Sequence, residues 1–352
     1  MGKPSSSPAM IQRLEATLQQ LLPDALRFLE ELVRINSYTR NALGVNENAE
    51  RIIRQFAPLG FSVRRMPCQV EGSGEHLILD SGGGQPALAL ISHLDTVFPA
   101  EEEAANNFRW QREGDVAYGP GVYDIKGGTA MMWLGVTALA TAAPEFFRSR
   151  RWILVWNAAE EALTPDFGAL CHAVLPENTR ACLVFEGEGQ TSREFGGVSN
   201  RKGRAHFRIE VEGRGAHAGS AFRNGASAVW QLARVIDRAM GLTDLEKGVT
   251  VNVGPVSGGL VVNRVAHSAM AEGEMRAFDM EQYRRTLDQL LALGGTGDVV
   301  AASDRFPCRV TVSVIQEIPP WPANPGTERL VAVWKEAAAC CGLGFNAVPR
   351  GG

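Results

Sequence analysis

The pattern of apolar and polar positions divides the chain into two textures. Over residues 10–35, "MIQRLEATLQQLLPDALRFLEELVRI", leucines recur at three- and four-residue spacing, which predicts a helix. Pro23 either kinks that helix or divides it in two. After a glycine-punctuated stretch come three continuous apolar runs of strand length, "ALALIS" (87–92), "WILVW" (152–156) and "ACLVF" (181–185). Between the first two, "TAMMWLGVTALATA" (129–142) follows a Gly-Gly pair and reads as a buried helix. Strands apolar on both faces, alternating with helices, predict an α/β fold with a mostly parallel sheet and flanking helices.

Near residue 200 the texture changes. "HFRIEVE" (206–212) alternates strictly, with Phe207, Ile209 and Val211 on one face and Arg208, Glu210 and Glu212 on the other. That is a strand with one wet face, typical of an antiparallel sheet. A helix pattern follows at about 224–240, then strand-like "GVTVNVG" (248–254) and a strand around 266–277. The helix "MEQYRRTLDQLLAL" (280–293) and the strand "CRVTVSVI" (308–315) complete a β-α-β-β-α-β order. This predicts a ferredoxin-like α+β unit over 200–316, inserted into an α/β domain made of 1–199 and 317–352. "PPWPANPG" (319–326) is the return linker, and a helix at 327–341 resumes the first domain.

Length agrees with two domains, since 352 residues exceed one ordinary core. The balance of 35 basic against 39 acidic residues, net −4, gives no footprint for nucleic acid and no membrane-seeking surface. No apolar run approaches the ~20 residues of a membrane span. The start, "MGKPSSSPAMIQRL", lacks the apolar stretch of a secretory signal. Six cysteines (68, 171, 182, 308, 340 and 341) show no C-x-x-C spacing, which suits a reduced, cytoplasmic chain.

The chemistry gathers where the apolar runs end. "ALALIS" runs into His93-Leu94-Asp95, "WILVWNAA" into Glu160-Glu161, and "ACLVF" into Glu186-Gly187-Glu188. In open α/β sheets, sites form beyond the carboxyl ends of strands, so all three can converge. His93 and Asp95, two apart, share a strand face, so His93 can bind a metal while Asp95 takes the other ring N–H. Glu160 and Glu161 diverge, so one can bind metal while the other moves protons. A divalent cation between them relieves their repulsion. "YGPGVYDIKGG" (118–128) adds Asp124 in a glycine-framed loop, where a carboxylate with two oxygens can bridge two ions. Singly, each has an ordinary reading: a hydrogen-bonded His-x-Asp, a solvated Glu-Glu turn, a helix-capping aspartate. Their coincidence points to metal, and His, Asp and Glu without cysteine favour zinc, with manganese or cobalt as alternatives.

The motifs "SHLDTVF", "YGPGVYDIKGG", "NAAEEAL", "VFEGEG" and "GRGAHAG" fall in the order and spacing of a known group. From about residue 25 onward the chain resembles the zinc exopeptidase and deacylase family of glutamate carboxypeptidase, acetylornithine deacetylase, succinyl-diaminopimelate desuccinylase and aminoacylase. The resemblance implies a two-zinc catalytic domain and an inserted domain that makes a homodimer. It implies His93, Asp124 and Glu186 as ligands of the first zinc, Asp124 as the bridge, and Glu161 at the second zinc. Asp95 would orient His93. Glu160 would be the general base that takes a proton from zinc-bound water and protonates the leaving amine. It further implies a cis peptide at Asp124–Ile125. His217 would reach a neighbouring subunit's site and stabilise the oxyanion. Asn263 and Arg276 would hold the substrate's carbonyl and carboxylate. Glu188, His76, His172, His206 and His267 match no functional position and read as structural or surface residues.

The pattern breaks at the C-terminal end. The family's second zinc takes a final histidine near the C-terminus, whereas this sequence has no histidine after His267 and stops at "NAVPRGG". The expectation is therefore a C-terminally truncated catalytic domain that binds at most one zinc firmly and has weak or no activity. The region "IQEIPPWP" also lacks the further arginine of glutamate-specific members. Three readings compete. The first is a carboxypeptidase-like hydrolase of N-acyl amino acids, folate-like compounds or short peptides with a free carboxylate. The second is a biosynthetic deacetylase or desuccinylase, and the third a non-catalytic dimeric binding protein.

Overall fold

The computed structural model describes residues 8–187 and 194–351, which fall into two compact units, 1–187 and 188–352. In the first unit, helix α1 (Pro8–Val33) runs unbroken through Pro23, and α2 is Ala42–Phe56. Strands β1 (Ser62–Pro67), β2 (Glu75–Asp80) and β3 (Ala87–His93) follow, then α3 (Ala100–Ala105) and the small hairpin β4 (Gln111–Glu113) with β5 (Val116–Tyr118). Next come α4 (Gly127–Ala142), α5 (Pro144–Arg148), β6 (Arg151–Asn157), α6 (Phe167–Val174) and β7 (Thr179–Val184).

The main sheet has the order β1-β2-β6-β3-β7. It is mixed rather than mostly parallel: β3 runs parallel to β6 and β7, but β2 is antiparallel to β6 and β1 antiparallel to β2. The reason lies in two strands the apolar runs did not reveal. β1 carries arginines and is largely exposed, and β2 hides behind His76 and Asp80 at its ends. Side chains alternate across the sheet. Leu77, Leu79, Leu154 and Trp156 face a core with Phe28, Leu32, Ile52 and Trp133, while Ile78, Ile153 and Val155 face Val174 and Phe167. Helices therefore cover both faces. α2 went unread because its apolar positions (Val45, Ala49, Ile52 and Phe56) are separated by Asn, Glu and Arg. All four are buried, and Asn41 caps the helix through the Gly44 N–H. The register pairs His93 with Asn157 and Ile91 with Val184, so the carboxyl ends of β3, β6 and β7 lie side by side.

The second unit begins with β8 (Glu194–Arg201) and β9 (Gly203–Glu212), then α7 (Ala228–Met240), β10 (Thr250–Gly258), β11 (Ser268–Ala277) and α8 (Met280–Leu291). β12 (Gly295–Val300), β13 (Pro307–Ile318), α9 (Pro325–Cys340) and β14 (Gly344–Arg350) complete it. An antiparallel sheet has the order β10-β11-β9-β13-β12. This is the anticipated β-α-β-β-α-β order with one strand added, β12, whose glycine-rich "GTGDVV" gives no alternation. Phe207, Ile209 and Val211 point into the core with Leu232, Val235, Tyr283 and Leu290. Gly273 makes this packing possible, because a Cβ there would lie 2.5 Å from the Phe207 ring. β8 and β14 form a separate parallel pair, with Trp334 of α9 stacked on Phe345 at 5.6 Å.

Candidate metal centre

His93 ends the interior strand β3 and is buried. Its Nε2 lies 3.0 Å from Asp124 Oδ1 and 3.8 Å from Glu186 Oε2. One ligand atom from each of the three residues falls within 4.8 Å of the other two. Asp124 is delivered by the loop before α4, where the Asp124–Ile125 peptide is cis, and Glu186 follows β7. Three segments distant in sequence thus meet beyond the carboxyl ends of the strands: the parallel pairing of β3 with β7 brings His93 and Glu186 together, and the loop before α4 adds Asp124.

Behind His93 stands Asp95, also buried. His93 Nδ1 lies 3.1 Å from the Asp95 carbonyl oxygen and 3.2 Å from its Oδ1. The same carboxylate accepts the Glu160 N–H on Oδ1 at 3.0 Å and the Glu161 N–H on Oδ2 at 3.2 Å. Thr39 Oγ1 donates to Oδ2 at 2.7 Å. Asp95 therefore connects the histidine to the turn carrying both glutamates. Thr39 gave no sequence signal, because its partner is 56 residues away.

The site carries more negative charge than it can balance alone. Burial pushes the Glu161 carboxyl up to about 7, and Asp124 adds to the rise. Burial likewise raises Glu186. Burial also opposes a charge on His93, but hydrogen bonds to Asp124 and Asp95 outweigh it and hold the imidazolium up to about 10. The hydrogen bond from His93 lowers Asp124. A proton on His93 is thus the charge compensation available from the protein itself. The donor set fits a divalent cation. It combines one imidazole with carboxylates, close enough for one ion at bond lengths of about 2.0–2.2 Å, with excess negative charge around it. Glu161 borders this group without joining the three donors that close on one another. Glu188 lies outside the described residues.

A second group, Cys68, His76 and Asp166, has the same compactness. Its hydrogen bonding argues against a metal. His76 Nδ1 accepts the Ala158 N–H at 3.1 Å, so the ring proton is on Nε2, facing Asp166 Oδ2 at 3.3 Å. Metal binding at Nε2 would move that proton to Nδ1, against the Ala158 N–H.

In the second unit, His217 and Asn263 line one cavity of about 320 Å³ together with Arg264. Backbone bonds from Ala218 N to Asn263 O and from Val265 N to Ala216 O, both 2.9 Å, bring the two segments together. His217 Nδ1 accepts from the Gly219 and Ser220 N–H groups, each at 3.1 Å, which leaves Nε2 as the donor. Arg276 is elsewhere, near the far end of β11. Its guanidinium is held by both Glu274 oxygens at 2.8 and 3.0 Å and by the Gly351 carbonyl at 2.9 Å. Ser268 and Arg276 stand eight strand steps apart, roughly 27 Å at about 3.4 Å per residue. Of the remaining histidines, His206 pairs with Glu272 at 3.1 Å, and His172 is exposed on α6.

Comparison with known proteins agrees with this picture. Residues 199–293 match the model of the peptidase dimerisation domain. The chain is 27% identical over 327 residues to carboxypeptidase G2 of Pseudomonas sp. (strain RS-16), covering 91% of this chain and 75% of that protein. It is 26% identical over 328 residues to acetylornithine deacetylase of Klebsiella pneumoniae (strain 342), covering 89% and 82%. The crystal structure of aminopeptidase PepT from Bacillus cereus superposes with a TM-score of 0.71 at 21% identity, over 93% of this chain and 84% of that one. Fold, relatives and dimerisation domain define a hydrolase of the metallopeptidase class. Over most of its length the chain is similar to carboxypeptidase G2 and acetylornithine deacetylase, and over 56% of it to succinyl-diaminopimelate desuccinylase.

Proposed function

We propose that this hydrolase cleaves the amide bond of N-acyl amino acids, folate-like compounds or short peptides that carry a free carboxylate. The observation that supports this most is the sharing of Asp95. One buried carboxylate meets His93 of the donor cluster and accepts the N–H groups of Glu160 and Glu161. His93, Asp124 and Glu186 would hold a zinc ion, with Glu161 at a second position. When bound, the ion would supply Lewis-acid polarisation of the scissile carbonyl and of the attacking water.

The rest of the chemistry belongs to side chains. Glu160 takes the proton of the attacking water and delivers it to the departing amine. Asp95 keeps the His93 ring oriented. His217, with only Nε2 free to donate, stabilises the developing oxyanion, and Asn263 beside it holds the carbonyl. Arg276 recognises a carboxylate once its Glu274 partner yields. Asn263, paired with the His217 segment, precedes the start of β11 whereas Arg276 stands near its end, which favours a site completed by a second subunit's His217. The reading keeps 1–199 and 317–352 as one discontinuous catalytic domain and 200–316 as the lid. The parallel pairing of β8 with β14 supports it, being unlike the antiparallel sheet between them in sequence. Residues 317–352 nevertheless group with the second compact unit. We place the protein in the cytoplasm; among the described residues no helix is long and apolar enough to cross a membrane, and all six cysteines are free.

Replacing Glu160 by Gln tests the assignment. Turnover of a panel of N-acyl amino acids should fall by at least about 100-fold while metal content is unchanged. An unchanged rate would favour a non-catalytic binding protein. A panel preference for N-acetylornithine over acylated glutamate would favour the deacetylase reading that the second relative suggests.

A further inference from the structure

The turn that presents Glu160 and Glu161 is held by an unusual run of bonds. Each N–H from Ala158 to Glu161 donates to a side chain. Ala158 donates to His76 Nδ1 and Ala159 to Asn157 Oδ1, both at 3.1 Å, while Glu160 and Glu161 donate to the two oxygens of Asp95. Carbonyls are held as well. Ser73 Oγ donates to the Ala158 oxygen at 3.0 Å, and Thr164 Oγ1 reaches the Ala159 oxygen. A backbone tied at every donor cannot drift, so the carboxylates that follow inherit a fixed origin.

His76 is the titratable member that neither the metal nor the proposed proton transfer accounts for. It is 1% exposed, and the pairing of Leu77 with Trp156 places it beside the end of β6. Asp166, which also accepts the Gln69 N–H at 3.2 Å, accepts a hydrogen bond from the His76 Nε2–H, and Phe167 covers the ring at 5.5 Å. The Nδ1 lone pair is thereby aimed at Ala158. Burial lowers the basicity of His76, which keeps the ring neutral and Nδ1 an acceptor.

We infer that His76 is a positioning residue: by accepting the Ala158 N–H it fixes the turn that aims Glu160 and Glu161 at the His93–Asp124–Glu186 cluster. The inference rests on the proposed role of Glu160. It acts at a distance of two residues, where a displacement of about 1 Å in a reacting group costs on the order of 100-fold in rate.

The test uses the zinc-loaded full chain and three variants. In His76→Asn, Oδ1 stands the same number of bonds from Cα as Nδ1 and retains the acceptor for Ala158. In His76→Gln, the amide reaches toward Asp166 and loses that acceptor, although glutamine is nearer to histidine in size. His76→Leu removes both. Hydrogen exchange over residues 157–163 should match wild type in His76→Asn and rise about ten-fold in His76→Gln and His76→Leu, the effect of one buried hydrogen bond. Turnover should follow the same ranking, through kcat with KM held. Glutamine preserving exchange as well as asparagine, or no rise in the leucine variant, overturns the inference. Exchange is read without turnover. An inactive wild type would therefore count against the hydrolase reading, while the exchange ranking alone decides the role of His76.

Discussion

Asp95 and His93 divide the electrostatic work of the centre between them. With no ion bound, His93 keeps its proton up to about pH 10, because hydrogen bonds to Asp124 and Asp95 outweigh its burial. Metal binding needs the neutral ring, so binding must expel that proton. Calorimetry at pH 7 in buffers of different ionisation enthalpy should find about one proton released from His93 per ion, with part of another from Glu161, which titrates near 7. Affinity should therefore rise with pH. The stability of the metal-free chain follows the opposite sign. His93 titrates above its ordinary 6.5, so its contribution is complete below pH 6.5 and is lost as pH rises through about 10. Thermal melts of the metal-free chain across that window check the sign. Replacing Asp95 by Asn removes the charge facing His93 and puts an NH2 where one of the N–H acceptors was; zinc affinity should fall by about 10–100-fold, measured by competition with a chelator.

At the scale of elements, the long apolar runs were the legible ones. β3 and β6 lie inside the sheet with both faces covered, and burial there leaves no polar face to blur the pattern. β9 was legible for the opposite reason: one wet face yields clean alternation. β1, β2, β12 and α2 were not. β1 and β12 are edge strands and α2 a half-exposed helix, which draw their stability from neighbours that a local window does not contain, while β2, an interior strand, is masked by His76 and Asp80 near its ends. Gly273 illustrates this. Nothing beside it in sequence requires glycine, yet Phe207 on the adjacent strand occupies the space of its missing side chain. Gly273→Ala should destabilise the second unit by about 1–3 kcal/mol in denaturant unfolding.

For the molecule as a whole, the open question of assembly has a surface to answer it. β10 is an edge strand of the second unit's sheet, and α7 next to it exposes Val229 and Trp230. Val256 and the Leu260–Val262 segment add more exposed apolar surface, Val262 being fully exposed. Such a patch, on the segment matching a dimerisation domain, is expected to pair with a second copy. Trp230→Glu should convert a dimer to a monomer in light scattering without lowering the melting temperature of the unit, since Trp230 adds little to its core. By itself the sequence determined the candidate residue types of the centre, the βαββαβ order and the likeness to metal-dependent amide hydrolases, because apolar periodicity and short polar motifs are local quantities. Which carboxylates meet His93, and that Asp95 joins them to the Glu160–Glu161 turn, was decided by the tertiary structure. So were the mixed direction of the main sheet and the fastening by His76. All of these depend on the register between strands far apart in the chain, and a hydrogen bond spanning 82 residues leaves no trace in either neighbourhood.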